Sequence, residues 1–175
     1  MPADPLDPPG GPRPFRPHEP VVIGLCGGVA SGKSAVASMF AAHGLRCIDA
    51  DAHARAVVDE PAVLRSIQAG FGSAVLRSGA LDRAAMARLV FADPAAKAKL
   101  EAILHPRILA RIHADLAAAK AAGLSVLLDA PLLLETGLDA LCDQVVFVAA
   151  SAEARGQRAA ARGWNAAEVA RREAA

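Results

Sequence analysis

Apolar positions along the chain fall into two rhythms: short unbroken runs, and longer stretches spaced by three and four. The first run, residues 21–26, predicts a strand. Residues 33–43 carry apolar side chains at Val36, Met39 and Phe40, which is helical spacing, and Gly44 stops that helix. Residues 46–48 make a short second strand ending at Asp49. Helices follow over 52–58, over 61–71 (closed by Gly70 and Gly72), and over 81–91 with Asp82 as its N-cap. Asp93-Pro94 opens a further helix, Asp93 capping it and Pro94 in its first position. His105-Pro106 is expected to break or kink it. Residues 107–122 continue as an amphipathic, alanine-rich helix through Ile108, Leu109, Ile112 and Leu116, ended by Gly123. Residues 125–128 and 144–149 read as third and fourth strands, both as continuous apolar runs of the kind buried on two faces. A basic helix over 153–162 and the start of another from Ala166 complete the pattern. Strands separated by helices imply an α/β fold with a parallel sheet and helices on both faces. With four strands visible and a helix under way at Ala175, a fifth strand and a closing helix are expected beyond the chain's end.

Composition sharpens this in three ways. Residues 1–20 hold eight of the twelve prolines and cannot bury a core, so they read as a disordered extension before a domain over 21–175. The 175 residues, 54% of them apolar, suffice for one domain with a substantial core. A formal charge of +1, 3% aromatic content and the absence of Tyr argue against a nucleic-acid partner. Cys26, Cys47 and Cys142 form no C-x-x-C pair, and Cys26 and Cys47 lie in apolar runs. They read as reduced core residues in a cytoplasmic protein. There is no signal-peptide pattern, and the most apolar stretch, 124–134, is interrupted by Asp129 and Pro131, so no membrane association is expected.

The chemistry starts after the first strand. Gly27-Gly28-Val29-Ala30-Ser31-Gly32-Lys33-Ser34 reads G-x-x-x-x-G-K-S. Such a loop, between a strand and a helix, turns backbone N–H groups inward around phosphates, and the helix start adds a positive dipole end. Lys33 is placed for β- and γ-phosphates and Ser34 for Mg²⁺. The absence of an N-K-x-D-type guanine motif argues against a GTPase switch. Beyond the second strand, Asp49-Ala50-Asp51 puts two carboxylates where ligands of parallel sheets bind. One of them can take an acceptor proton, the competing reading being that both cap helices. Arg55 lies one helical turn past Asp51, either facing the same cleft or paired with Asp51. Leu127-Leu128-Asp129 ends a strand in a carboxylate suited to Mg²⁺, and Pro131-Leu132-Leu133-Leu134-Glu135 places an apolar loop and an acid at the same sheet edge. Arg155, Arg158 and Arg162 form a basic helix, a candidate lid over phosphates or else a solvated face. His105 alone has a structural role by default.

Together these segments resemble the dephospho-CoA kinases. The matching stretches are Ile23–Gly28 with Ser31–Ser34; Ile48-Asp49-Ala50-Asp51 with Arg55; Gly79-Ala80-Leu81-Asp82-Arg83; Val90-Phe91; Leu104-His105-Pro106; Pro131–Glu135; and Arg158 with Arg162. The resemblance runs in order from about Val21 to Arg172. It implies a P-loop NTPase fold of three α/β/α layers, with a helical CoA-binding insert over about 81–122 and a lid over about 151–165. It implies ATP-dependent phosphorylation of the ribose 3′-hydroxyl of dephospho-CoA by a cytoplasmic enzyme, favoured as a monomer, using Mg²⁺. Asp51 would be the general base, and Lys33 and Arg158 would stabilise the transferring phosphoryl. Gly27 to Ala35 and Arg162 would hold ATP, and Ser34 and Asp129 the Mg²⁺. Asp51, Arg55, His105, Pro131, Leu132 and Glu135 would meet dephospho-CoA. The family usually has Thr at Cys26, often Thr at Ala35 and often Gln at Arg155. Two alternatives stay open: another small-molecule kinase acting on nucleotides, and a nucleotide-binding protein without turnover.

Overall fold

The computed structural model describes residues 19–130 and 133–173. The chain folds into two compact units. One is formed by the chain up to Ile48 together with the chain from Ala118 on; the other is Asp49–Ala117.

The first unit is built on strands β1 (Val22–Cys26), β2 (Arg46–Asp49), β5 (Val126–Asp129) and β6 (Gln144–Phe147), in the order β2-β5-β1-β6. The numbering leaves β3 and β4 for the other unit. β1 runs parallel to β5, with Val22 opposite Val126 and Leu25 opposite Asp129. It runs parallel to β6, with Ile23 opposite Gln144 and Cys26 opposite Phe147. Parallel strands need crossovers, and α1 (Lys33–Ala42), between β1 and β2, is one; α6 (Ala152–Ala161) and α7 (Ala166–Glu173) follow β6 in the same unit. Strand order reverses beside β1, so the loop that leaves it opens at the switch point where parallel sheets take ligands.

β5 is the apolar heart of the sheet, Val126, Leu127 and Leu128 being buried beside Leu25. β6 is different. Its sequence reads as a strand buried on two faces, yet Val145 and Phe147 are 42% and 66% exposed because β6 lies at the sheet's edge. Cys47, read as a core residue, is exposed on β2, the other edge strand; Cys26 is buried as expected.

Gly24, mid-strand in β1, is required by close approach. A Cβ there would lie 2.6 Å from Leu133 Cδ2 and 2.8 Å from Cys142 Sγ, and Leu133 is fully buried. The chain from 133 to 142 can therefore press directly on the β1 backbone.

The second unit packs α2 (Ala50–Val58), α3 (Pro61–Phe71), α4 (Arg83–Ala92) and most of α5 (Pro94–Ala121) around Val57, Val63, Ile67, Val75 and Met86. Two of its features depart from the sequence pattern. α5 runs unbroken through Pro106. A proline inside a helix costs about 3 kcal/mol or more, but Leu100, Ile103 and Leu104 before it and Ile108 after it pack on one core, which supports both halves of the helix. Two ion pairs anchor the half after the proline: Glu60, at the start of α3, accepts from Arg107 at 3.2 Å and from Arg111 at 2.8 Å. The other departure is a small antiparallel hairpin, β3 (Leu76–Arg77) and β4 (Ala80–Leu81), where the pattern had placed the first residue of a helix. Ser78 and Gly79 both have positive φ (53° and 81°), the backbone of a tight hairpin turn.

Asp82 then starts α4 as expected, accepting from Ala85 N at 2.9 Å. That bond first, and the Arg77 guanidinium at 2.8 Å among lesser charges, hold its carboxyl below the usual range against a partial desolvation.

Two outcomes follow. Gly24→Ala should lower stability by about 1–3 kcal/mol, the usual cost of overpacking, read from the urea midpoint. Asp82→Ala should lower the melting temperature at pH 7. Because the folded carboxyl is the stronger acid, its contribution is present above the ordinary carboxylate pKa and is lost as pH falls through the depressed one. The melting difference between variant and wild type should therefore close on acidification.

Candidate active site

The loop between β1 and α1 is shaped by backbone that few residues adopt. Gly32, the N-cap of α1, sits at φ 100° and ψ 19°, a left-handed conformation that favours glycine. No side chain caps α1 and no acid stands in its first turn, so its positive end is open to an anion. Ser31 N donates to Gly28 O at 3.1 Å, closing the turn. The Ser31 hydroxyl is buried with no hydrogen-bond partner, an unsatisfied donor inside the loop. Lys33 Nζ reaches back to Gly27 O at 3.0 Å.

Arginines lean over the loop from α6. Arg158 Nη1 donates to Ser31 O at 2.7 Å and to Ala30 O at 3.4 Å. Arg155 Nη1 lies 3.1 Å from where a Gly28 side chain would begin, so the absence of one leaves room for it. Gly28 to Ser34, Arg162, Trp164 and Arg172 line a cleft of about 380 Å³. Trp164 and Arg172 escaped the sequence reading. Trp164 is the single tryptophan of the chain and follows the glycine that ends α6, which was the one signal available.

These residues fit a nucleoside triphosphate: an uncapped helix start, a loop lysine, arginine forks and an orphaned buried hydroxyl all offer donors to one anion. For Mg²⁺, Ser34 stands in the first turn of α1 and Asp129 at the end of β5. Two side-chain oxygens suit an ion that takes its other ligands from phosphates and waters.

Glu135 lies exposed in the turn after β5. The Cys26 thiol registers its neighbourhood: burial raises its pKa, the Lys33 charge opposes this, and the Glu135 charge adds to it. Pro131 and Leu132 lie outside the described residues. Asp51, Arg55 and His105 belong to the second unit. Asp51 is exposed in the first turn of α2, and His105 is exposed on α5. Asp49 takes the capping role, accepting from Ala52 N at 3.0 Å. Arg55 pairs with Asp49 at 3.3 Å, not with Asp51 as one reading had it. Asp49 is thus the cap, and the Asp51 carboxylate is not consumed by that bond.

Among the described residues, no helix is long and apolar enough to cross a membrane.

A family model described as dephospho-CoA kinase matches residues 21–175. The dephospho-CoA kinase of Deinococcus radiodurans is 46% identical over 87% of this chain and 73% of its own length. That of Hahella chejuensis is 46% identical over 89% of this chain and 74% of its own. Among solved structures, one from Thermus thermophilus superposes with a TM-score of 0.77 at 36% identity, covering 89% of this chain and 80% of the other. The dephospho-CoA kinase of Campylobacter jejuni gives 0.61 at 27% identity, covering 72% and 64%.

The cysteines give a test of this geometry. Burial, with Asp139 and Asp143 adding, pushes the Cys142 thiol up to about 11. Cys47 is raised as well, by partial desolvation and then by the Asp129 charge, but it is the exposed one of the three. Since the thiolate is the nucleophile, iodoacetamide at pH 8 should modify Cys47 first and Cys142 last, as peptide mass spectrometry will show.

Proposed function

The chain belongs to the dephospho-CoA kinase family, and from that premise we propose how its residues divide the reaction. The activity is ATP-dependent phosphorylation of dephospho-CoA, a step of coenzyme A biosynthesis. The acceptor in our reading is the ribose 3′-hydroxyl, and the products are CoA and ADP.

One observation supports the donor half above all: Lys33 and Arg158 converge on one loop at the uncapped start of α1. ATP lies along Gly27 to Ala35 with Arg162 on the same side. Lys33 and Arg158 meet the transferring phosphoryl, whose equatorial oxygens carry the developing charge. Both cations are now satisfied by loop carbonyls, which are weaker acceptors than phosphate. Mg²⁺, held by Ser34 and Asp129, would neutralise phosphate charge when bound.

For the acceptor half, Asp51 is the general base. Asp49 keeps α2 capped and Arg55 engaged, which leaves the Asp51 carboxylate for the acceptor's proton. Arg55, His105, Pro131, Leu132 and Glu135 are assigned to dephospho-CoA, with residues of about 81–122 as its helical subdomain and 151–165 as the lid. We further place the enzyme in the cytoplasm as a monomer.

An ADP-release assay tests the acceptor. ADP should form stoichiometrically with dephospho-CoA and not with nucleoside monophosphates; the opposite pattern would overturn the reading. Asp51→Asn should lower kcat by on the order of 10²–10⁴ while leaving ATP affinity close to wild type. Near-normal turnover in that variant would remove Asp51 from the base role.

A further inference from the structure

The single tryptophan sits between two arginines at the mouth of the phosphate loop. The Arg172 guanidinium lies 4.2 Å from the Trp164 ring centroid and that of Arg162 lies 5.2 Å from it. All three line the cleft with Gly28 to Ser34. Two guanidiniums gathered this closely repel, and the negative face of an indole is the strongest aromatic partner for such cations.

The backbone holds the ring in place from both sides. α6 ends with Gly163 N donating to Ala160 O at 2.9 Å and Trp164 N to Ala159 O at 3.0 Å, the paired bonds of a Schellman closure. The next residue, Asn165, caps α7 through Glu168 N at 2.9 Å. Glu168 in turn accepts from Arg172 Nε at 2.8 Å and also pairs with Arg171. Trp164 is therefore fixed between two helix ends, and Arg172 is fixed both by the ring and by a carboxylate.

We propose that Trp164 is a positioning residue for the nucleotide's phosphates: its indole carries the Arg162 and Arg172 guanidiniums where they meet ATP at the loop. The proposal rests on the loop being the ATP site, and it adds Arg172 to the donor residues. Once phosphate oxygens engage the two guanidiniums, their stacking on the ring changes, and the indole's surroundings change with it.

Because no other tryptophan is present, its emission reports this site alone. ATP should quench or shift Trp164 emission saturably, while a methylanthraniloyl ATP analogue, followed by its own anisotropy, measures binding independently. Trp164→Ala should raise KM for ATP roughly tenfold, the size expected from two lost cation–π contacts. KM for dephospho-CoA should stay unchanged, and Trp164→Phe should recover most of the loss. An indifferent Trp164 signal while the analogue binds would overturn the proposal and leave the ATP site standing. An analogue that binds wild type but is not displaced by ATP, or neither ligand binding at all, would refute the ATP site itself. A Trp164→Ala enzyme with wild-type KM for ATP, or one that loses only thermal stability and kcat, would also overturn it, since a structural role alone produces that result.

Discussion

The positive end of α1 is the constraint around which the first unit is arranged. Ser, Thr, Asp or Asn at an N-cap normally stabilises a helix by about 1 kcal/mol. This chain has Gly32 there and no acid in the first turn. It then adds cations, Lys33 from the helix itself and Arg158 from α6. In the absence of an anion these groups take the acceptors at hand, the carbonyls of Gly27, Ala30 and Ser31. Such an arrangement sacrifices local stability for a preorganised donor array, and it persists because the strand that leads into it is held hard. Leu25 is fully buried, β1 is paired on both edges, and Leu133 and Cys142 press on Gly24. The aim of the loop is set by the packing of β1.

What the sequence revealed followed how local each cause is. The phosphate loop was legible because its chemistry demands Gly, Lys and Ser at fixed spacing after a strand. α3 was read to the residue, Pro61–Phe71, since Pro61 at its start and Gly72 at its end act through the backbone alone. The hairpin at 76–81 was missed because two-residue strands carry no period; its only trace was Ser78-Gly79. Pro106 was read as a break or a kink because the apolar side chains that keep α5 continuous pack on residues scattered from Val57 to Met86. β6 was read as doubly buried because an apolar run records strand propensity and says nothing about position within the sheet. Among the site residues, Asp49 and Asp51 were indistinguishable two apart in sequence; the bonds to Ala52 and Arg55 separate them.

In the proposed division of the reaction, the arginines of α6 and α7 would direct binding energy into catalysis. α6 buries only Ala159, so apolar packing contributes little to where Arg155 and Arg158 stand. Arg158 is held by hydrogen bonds to the Ala30 and Ser31 carbonyls, and Arg162 and Arg172 by cation–π contacts with Trp164, each weak and each replaceable. A triphosphate offers charged oxygens in place of neutral carbonyls, and charge-assisted bonds are roughly twice as strong as neutral ones. The exchange therefore favours the liganded arrangement. It favours it more as charge builds on the transferring phosphoryl, because a fork held near the loop gains most when the acceptor is most negative. A tightly cored helix would fix the same arginines regardless of ligand and leave no such difference between ground and transition state. The sparse burial of α6 thus fits the role proposed for it: Arg158 already stands on the loop through its carbonyls, and a triphosphate would strengthen that placement.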